Sequence, residues 1–266
     1  MIEERIARFA LRKSGSLSYR EAGAGPALLC LHGIGSSSAG WLFQLESLSS
    51  QFRVIAWDAP GYGESAFLPA KDPQPKDYAQ ALHGLMERLL LKDITLVGNS
   101  LGGLMAGAYA RAHPERVRRM VLISPSSGYG ILQAAEKEEK VAARLRQLDE
   151  LGPEGLAEKR SPILFGEKLT PQALELARWS QRRIHPPGFR QAVHCLASGN
   201  HFEDARRCRK PVLVVCGTQD TVTPEAGCKQ VAMAYPGGEY RPLPGLGHIS
   251  HIEDPALLAG IISESS

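Results

Sequence analysis

Aromatic residues are scarce in this chain, at 6% of 266 residues, and long apolar runs are missing. Residues 22–45 and 94–110 contain no Asp, Glu, Lys or Arg, but glycines with Ser, Pro or Asn interrupt both, so neither reads as a membrane span. The five cysteines, Cys30, Cys195, Cys208, Cys216 and Cys228, are odd in number and form no C-x-x-C pair. That excludes a disulfide framework and is expected of idle thiols in the reducing cytoplasm. The opening Met1-Ile2-Glu3-Glu4 puts acids where a secretory signal needs basic and then apolar residues. Charge of one sign is also lacking: 31 basic against 28 acidic residues leaves +3, too thin for nucleic-acid binding. No internal repeat or low-complexity tract is present.

What is present is the balance of a globular protein, 43% hydrophobic and 22% charged, long enough to bury a core without disulfides or structural metal. Short apolar runs at 27–31, 52–57, 94–97, 120–123 and 212–216 each end at Gly, Asp, Asn or Ser, which predicts central strands of a mostly parallel sheet. Residues 16–21 followed by Gly23-Ala24-Gly25-Pro26 predict an antiparallel edge hairpin leading into the first of these. Apolar residues from Leu101 to Ala112 recur at helical spacing, and His113-Pro114 ends that helix. Between residues 126 and 209 the alternation stops, and charged helical segments punctuated by Pro153, Pro162, Pro171 and Pro186-Pro187 take over. We expect a core domain of residues 1–125 and 210–266, with 126–209 as a helical cap over the carboxyl ends of the strands, where open parallel sheets bind ligands.

The most informative pentapeptide is Gly98-Asn99-Ser100-Leu101-Gly102, a G-x-S-x-G between an expected strand and an expected helix. Such a turn lifts a serine hydroxyl above the sheet, and the helix N-terminus behind it favours negative charge. A hydroxyl needs a base and a group to orient that base. Asp220 follows the 212–216 strand, and His248 lies in a Gly-flanked loop after an expected strand at 239–243. The order Ser100, Asp220, His248 is that of nucleophile-elbow hydrolases. The oxyanion donors are expected to be the backbone N–H groups of Leu101 and of Ile34 in His32-Gly33-Ile34-Gly35, with Gly35 as the alternative to Ile34. Gly33, Asn99, Trp179, Val222 and Ile249 are expected in the substrate pocket.

These residues resemble the α/β-hydrolase superfamily. The likeness runs through His32-Gly33-Ile34-Gly35, Asp58-Ala59-Pro60-Gly61-Tyr62-Gly63-Glu64-Ser65, Gly98 to Gly103, His113-Pro114-Glu115-Arg116-Val117, Gly217-Thr218-Gln219-Asp220 and Gly245-Leu246-Gly247-His248. It implies a mostly parallel sheet of about eight strands, helices on both faces and a cap after the sixth strand. Within the superfamily the chain is similar to serine carboxylesterases and 3-oxoadipate enol-lactonases. Carbon–carbon hydrolases of ring-fission products also carry Gly-Asn-Ser at the elbow, but commonly have Trp after the catalytic His, where this chain has Ile249. Haloalkane dehalogenases need Asp at the position of Ser100. The expected activity is hydrolysis of a small ester or lactone; a carbon–carbon hydrolase and a ligand-binding protein on the same scaffold are the alternatives.

Other features read more plainly. Asp58 sits in a Pro/Gly turn, and a structural role is expected of it; His32 is expected to shape the oxyanion loop. His248-x-x-His251-x-Glu253 lacks further metal ligands, and His194, Cys195, His201 and Cys208 are expected at the surface or partly buried, so no metal is expected. Neither a dinucleotide fingerprint nor a phosphate loop is complete, and no cofactor is required. In the expected cap, Leu164, Phe165, Ile131 and Phe202 are candidates either for packing or for the pocket. Arg160, Arg182, Arg183 and Arg190 form a solvated face unless one of them holds a substrate carboxylate. The expected partner is a small-molecule substrate, with no nucleic acid and no membrane; homodimerisation is compatible with the sequence.

Overall fold

Alternate residues of each central strand face opposite sides of the sheet, and here both sides are apolar. In the computed structural model, which describes residues 1–264, the chain opens with helix α1 (Ile2–Ala7) and strands β1 (Arg12–Ser14), β2 (Leu17–Ala22) and β3 (Ala27–Leu31). Helix α2 (Leu42–Leu48), β4 (Arg53–Trp57), α3 (Pro75–Arg88), β5 (Ile94–Asn99), α4 (Leu101–Ala112) and β6 (Val117–Ile123) follow. Helices α5 (Ala134–Arg160), α6 (Pro171–Arg182), α7 (Pro186–Ser198) and α8 (His201–Arg207) then intervene before β7 (Val212–Gly217), α9 (Glu225–Ala234), β8 (Glu239–Leu243), α10 (Ser250–Glu253) and α11 (Pro255–Glu264).

The eight strands form one sheet in the order β1-β2-β4-β3-β5-β6-β7-β8, antiparallel at β1/β2 and β2/β4 and parallel elsewhere. This is the α/β-hydrolase architecture the resemblance implied. Leu29, Leu31, Ile55, Leu96 and Leu122 enter the core beneath α3 and α4, whereas Leu28, Cys30, Val54, Val97 and Val121 enter the one beneath α2 and α11. Burial on both faces explains why these strands read as unbroken apolar runs.

One expectation is corrected. The Gly23–Pro26 turn does not close a hairpin: β2 pairs with β4, and the turn carries the chain past β4 to β3. The edge hairpin lies earlier, where Ser14 opposes Leu17. Local turn chemistry announces a reversal but not which strand will lie alongside.

The topology also chooses the place of the site. From β3 the chain goes to β4 on one side, and from β5 to β6 on the other, so the loops leaving adjacent β3 and β5 diverge. A crevice opens at such a switch point. Two of the four helices between β6 and β7 start at prolines that pre-set helical φ and need no N–H partner, Pro171 in α6 and Pro186 in α7. Residues of α5, α6 and α7 close over that crevice.

Candidate active site

Strand β5 and helix α4 meet at a single residue. Ser100 takes φ 54° and ψ −114° between them. L side chains rarely adopt positive φ, and the surrounding structure enforces it here. Ser100 N–H donates to Ile123 O at 3.0 Å, and its carbonyl accepts Ser126 N–H at 3.1 Å. A Cβ on Gly98 would strike Gly102 O, and one on Gly102 would strike Leu31 O. Glycine on both flanks lets the helix turn back against β5 and β3.

Asp220, at the carboxyl end of β7, and His248, in the loop after β8, are both buried. His248 Nδ1 lies 2.9 Å from Asp220 Oδ2. An ionised carboxylate only accepts, so Nδ1 carries the proton and Nε2 is left as the basic nitrogen. Asp220 Oδ1 accepts the N–H groups of Val222 and Thr223 at 2.8 and 2.9 Å. Burial alone would raise the Asp220 pKa, but the His248 charge and hydrogen bond, with the Thr223 N–H, outweigh it and bring the value to about 2. Thr223 Oγ1 adds a further contact, 2.8 Å from Asp220 Oδ2, 3.1 Å from His248 Nδ1 and 3.0 Å from Ser124 O.

The histidine loop is anchored on several sides. Asn99 Nδ2 donates to His248 O and to Ile123 O, both at 3.1 Å. His248 N–H donates to Leu164 O at 2.8 Å. Gly247 N–H donates to Glu253 Oε2 at 2.7 Å, while Glu253 Oε1 accepts Gly166 and Lys168 N–H.

Across the cleft, the loop after β3 turns its carbonyls away. His32 Nδ1–H donates to Gly33 O at 2.8 Å, its Nε2 accepts Ala59 N–H at 3.0 Å, and Tyr62 Oη–H donates to Ile34 O at 2.9 Å. Among the described residues the N–H groups of Ile34 and Leu101 have no acceptor. Asp58 braces the same region, accepting Ser38 N–H and Ser18 Oγ–H at 2.7 Å each.

Gly33, Ile34, Asn99, Ser100, Val222, His248 and Ile249 line one cleft, with Gly35, Leu164 and Gln181 beside them. No hydrogen bond joins Ser100 Oγ to His248 among the described residues, although both face that cleft. Trp179 is placed elsewhere: its Nε1–H donates to Glu3 at 3.2 Å and Arg183 covers its ring. Ala177 and Gln181 take the inward face of α6, and Trp179 is turned outward. Phe165 is buried in a smaller cluster with Ile2, Leu176 and Ile249, Phe202 packs against the separate main core beneath α3 and α4, and Ile131 is exposed. Cys195, His201 and Cys208 are not at the surface: all three are fully buried, because α7 and α8 pack against the main core.

Residues the sequence reading passed over also matter here. Thr223 carried a signal, three positions after an Asp whose carboxylate caps the turn. Arg144, Gln147 and Gln181 carried none, since the docking of helices decides which side chains face the cleft.

The family described as alpha/beta hydrolase fold matches residues 26–255. A putative 2-succinyl-6-hydroxy-2,4-cyclohexadiene-1-carboxylate synthase of Bacillus subtilis is 27% identical, over 94% of this chain and 95% of its own. A 2-hydroxy-6-oxononadienedioate/2-hydroxy-6-oxononatrienedioate hydrolase of Comamonas testosteroni is 27% identical over 87% and 84%. A malate-bound thermophilic esterase of Thermogutta terrifontis superposes with a TM-score of 0.84 at 26% identity, covering 97% of this chain and 96% of its own. With the family matched over most of its length and hydrolases among its relatives, the chain belongs to the α/β-hydrolase fold family and is a hydrolase of that family.

Proposed function

We propose that the chain is a serine hydrolase of a small carboxylic ester or (enol-)lactone, acting through an acyl-enzyme on Ser100, with residues 126–209 as its cap. The observation that carries this reading is the buried His248–Asp220 pair, 2.9 Å apart, on the cleft into which the strained Ser100 turn opens. Among the described residues Ser100 Oγ has no hydrogen bond to hold its rotamer, which leaves it free to swing toward His248 Nε2 when substrate arrives.

Attack of Oγ on the carbonyl carbon passes the hydroxyl proton to Nε2, and the imidazolium is stabilised by Asp220. The oxyanion accepts the unpaired N–H groups of Ile34 and Leu101, and loss of one such donor raises a barrier by about 2.7–4 kcal/mol. As the tetrahedral intermediate collapses, the C–O bond breaks and Nε2 returns the proton to the leaving alcohol or enol. Water then attacks the acyl-enzyme by the same route. A lactone gives a ring-opened acid by the same two steps. The five free, buried thiols support a cytoplasmic setting.

Ser100→Ala is expected to abolish turnover of p-nitrophenyl acetate and labelling by a fluorophosphonate while changing stability by no more than about 1 kcal/mol. Turnover that survives the substitution refutes the assignment. Absence of labelling in the unsubstituted protein would favour a ligand-binding protein on the same scaffold. The Comamonas relative supports a second reading, carbon–carbon hydrolysis of a ring-fission diketone. Comparing kcat/KM for vinylogous diketones and enol-lactones decides between the two.

A further inference from the structure

The cleft beside Ser100 carries charge of one sign. Arg144 and Arg160 line it, and among the described residues no carboxylate does. The partners of both are neutral: Arg144 Nε–H donates to Tyr129 Oη at 2.6 Å, and Arg160 Nη1–H donates to Gln147 Oε1 at 3.0 Å. Among the described residues neither arginine has an acidic side chain within ion-pair distance. Nearby arginines differ. Arg178 pairs with Glu158, Arg182 with Glu154, Glu158 and Glu175, Arg183 with Glu3, and Arg190 with Asp149. Acidic residues are therefore plentiful on these helices, yet they face the outer arginines and leave the two in the cleft unneutralised.

A break in the backbone brings the pair together. On a straight helix, residues 144 and 160 would stand about 24 Å apart. Gly152, at φ 59° and ψ 179°, followed by Pro153, interrupts α5 and folds its second half back, so that Arg160 reaches Gln147. Arg144 and Arg160 are both half-buried residues, with the Arg144–Tyr129 contact part-buried and the Arg160–Gln147 contact exposed. Burial first, and then the charge of Arg144, lowers the Arg160 pKa, the sign expected of cations crowded together without an anion. Two half-buried like charges are unfavourable unless a counter-charge completes them, and a planar guanidinium fits a carboxylate through two parallel hydrogen bonds.

We infer that Arg144 and Arg160 form a carboxylate subsite, and that the substrate cleaved at Ser100 is an anion, a half-ester or lactone acid whose free carboxylate docks on the two guanidinium groups. This rests on the serine-hydrolase reading and adds the class of its substrate. The arginines supply binding and register, holding the scissile carbonyl at Ser100 through the far end of the molecule.

Mono-(4-nitrophenyl) adipate and its neutral methyl ester differ only in the distal charge, so the ratio of their kcat/KM values reads the subsite. Hydrogen bonds to charged groups contribute about 1.5–3 kcal/mol, so the half-acid is expected to be preferred by about tenfold or more. In Arg144→Gln and Arg160→Gln the ratio falls toward one, chiefly through KM for the half-acid, and Arg160→Lys restores part of it. A wild-type preference for the methyl ester, or a ratio unmoved by both glutamine variants, overturns the inference while leaving the serine chemistry standing. Calorimetry with adipate dianion on Ser100→Ala separates the two failures, because it needs no turnover. Binding that Arg160→Gln abolishes supports the subsite even if neither ester is cleaved, and absence of binding rejects it. Fluorophosphonate labelling tests the serine without involving the arginines.

Discussion

At Asp220 two carboxylate oxygens face two backbone N–H groups, a threonine hydroxyl and an imidazole, and only the last of these enters the proposed mechanism. Asp220→Asn keeps the size but offers an amide in place of one oxygen, which permits His248 to hold its proton on Nε2. Steady-state kinetics should then show kcat lower by about 10⁴, with the melting temperature nearly retained. Thr223→Val tests the neighbouring contact. It removes the one hydroxyl proton that Asp220 Oδ2 and Ser124 O, 2.8 and 3.0 Å from Oγ1, share as acceptors, for a stability loss of about 1–2 kcal/mol by denaturant titration. The effect on kcat should stay within about tenfold, since Asp220 still orients the ring; a loss as large as that of Asp220→Asn would make Thr223 an equal partner. Much of this site was legible in the sequence. Ser100, Asp220 and His248 each sit in a short glycine- or Asx-turn whose local chemistry places it at a strand end. Trp179 and Arg144 were not legible, because a cap helix has the same 3.6-residue period whichever face it presents, and docking makes the choice.

The helices between β6 and β7 do more than cover the cleft, for their 164–168 segment is hydrogen-bonded into the histidine loop. His248 N–H reaches Leu164 O at 2.8 Å, Glu167 N–H reaches Gly245 O at 2.8 Å, and the Glu253 carboxylate accepts from Gly166, Lys168 and Gly247. Any displacement of that segment must pull on the imidazole backbone. In Glu253→Gln an amide NH₂ confronts backbone donors, leaving at least one unsatisfied, at about 1–3 kcal/mol. Hydrogen exchange should accelerate at 164–168 and 245–248 together, and exchange confined to one segment would show that they are not coupled. At this scale the central strands were readable because both sheet faces are apolar, as at β3, whose limits agree with the expected run at 27–31; the largely exposed edge strand β8 also agrees with the expected 239–243. The partner of β2 and the fold-back of α5 were not. Strand pairing is a long-range choice, and a Gly-Pro step marks a break without giving the angle across it.

Acid sensitivity belongs to the molecule as a whole, because its depressed histidines, His201 and His251 among them, lie on different elements and in different packing environments. His201, on α8, is fully buried with Nδ1–H donating to Ser126 O at 2.9 Å and Nε2 2.7 Å from Tyr235 Oη; burial lowers its pKa to about 4. His251, on α10, lies against Trp41 with ring centroids 4.4 Å apart, and burial, then the His248 charge, lowers its pKa to about 3. Both start from 6.5 in the unfolded chain. As pH falls below 6.5 the unfolded chain protonates these two histidines, and His32 and His113, whose folded pKa values burial also lowers, more readily than the folded protein does, so stability declines with falling pH. The decline ends near pH 4 for His201 and near pH 3 for His251. Each proton contributes a slope of up to about 1.4 kcal/mol per pH unit. Asp220 acts lower down and through the opposite ionisation: its folded pKa is depressed, so the stability it adds above 3.8 is lost as pH falls toward about 2. Urea titrations at pH 7.5, 6.0 and 5.0 should therefore show the midpoint falling as the histidines of the unfolded chain take up protons. His201→Gln should lower stability at pH 7.5 by removing a buried hydrogen-bonded ring, yet flatten the slope between pH 6 and 5 in part, the remainder resting on the other depressed histidines. A slope that the substitution leaves intact would assign the acid sensitivity to groups other than His201.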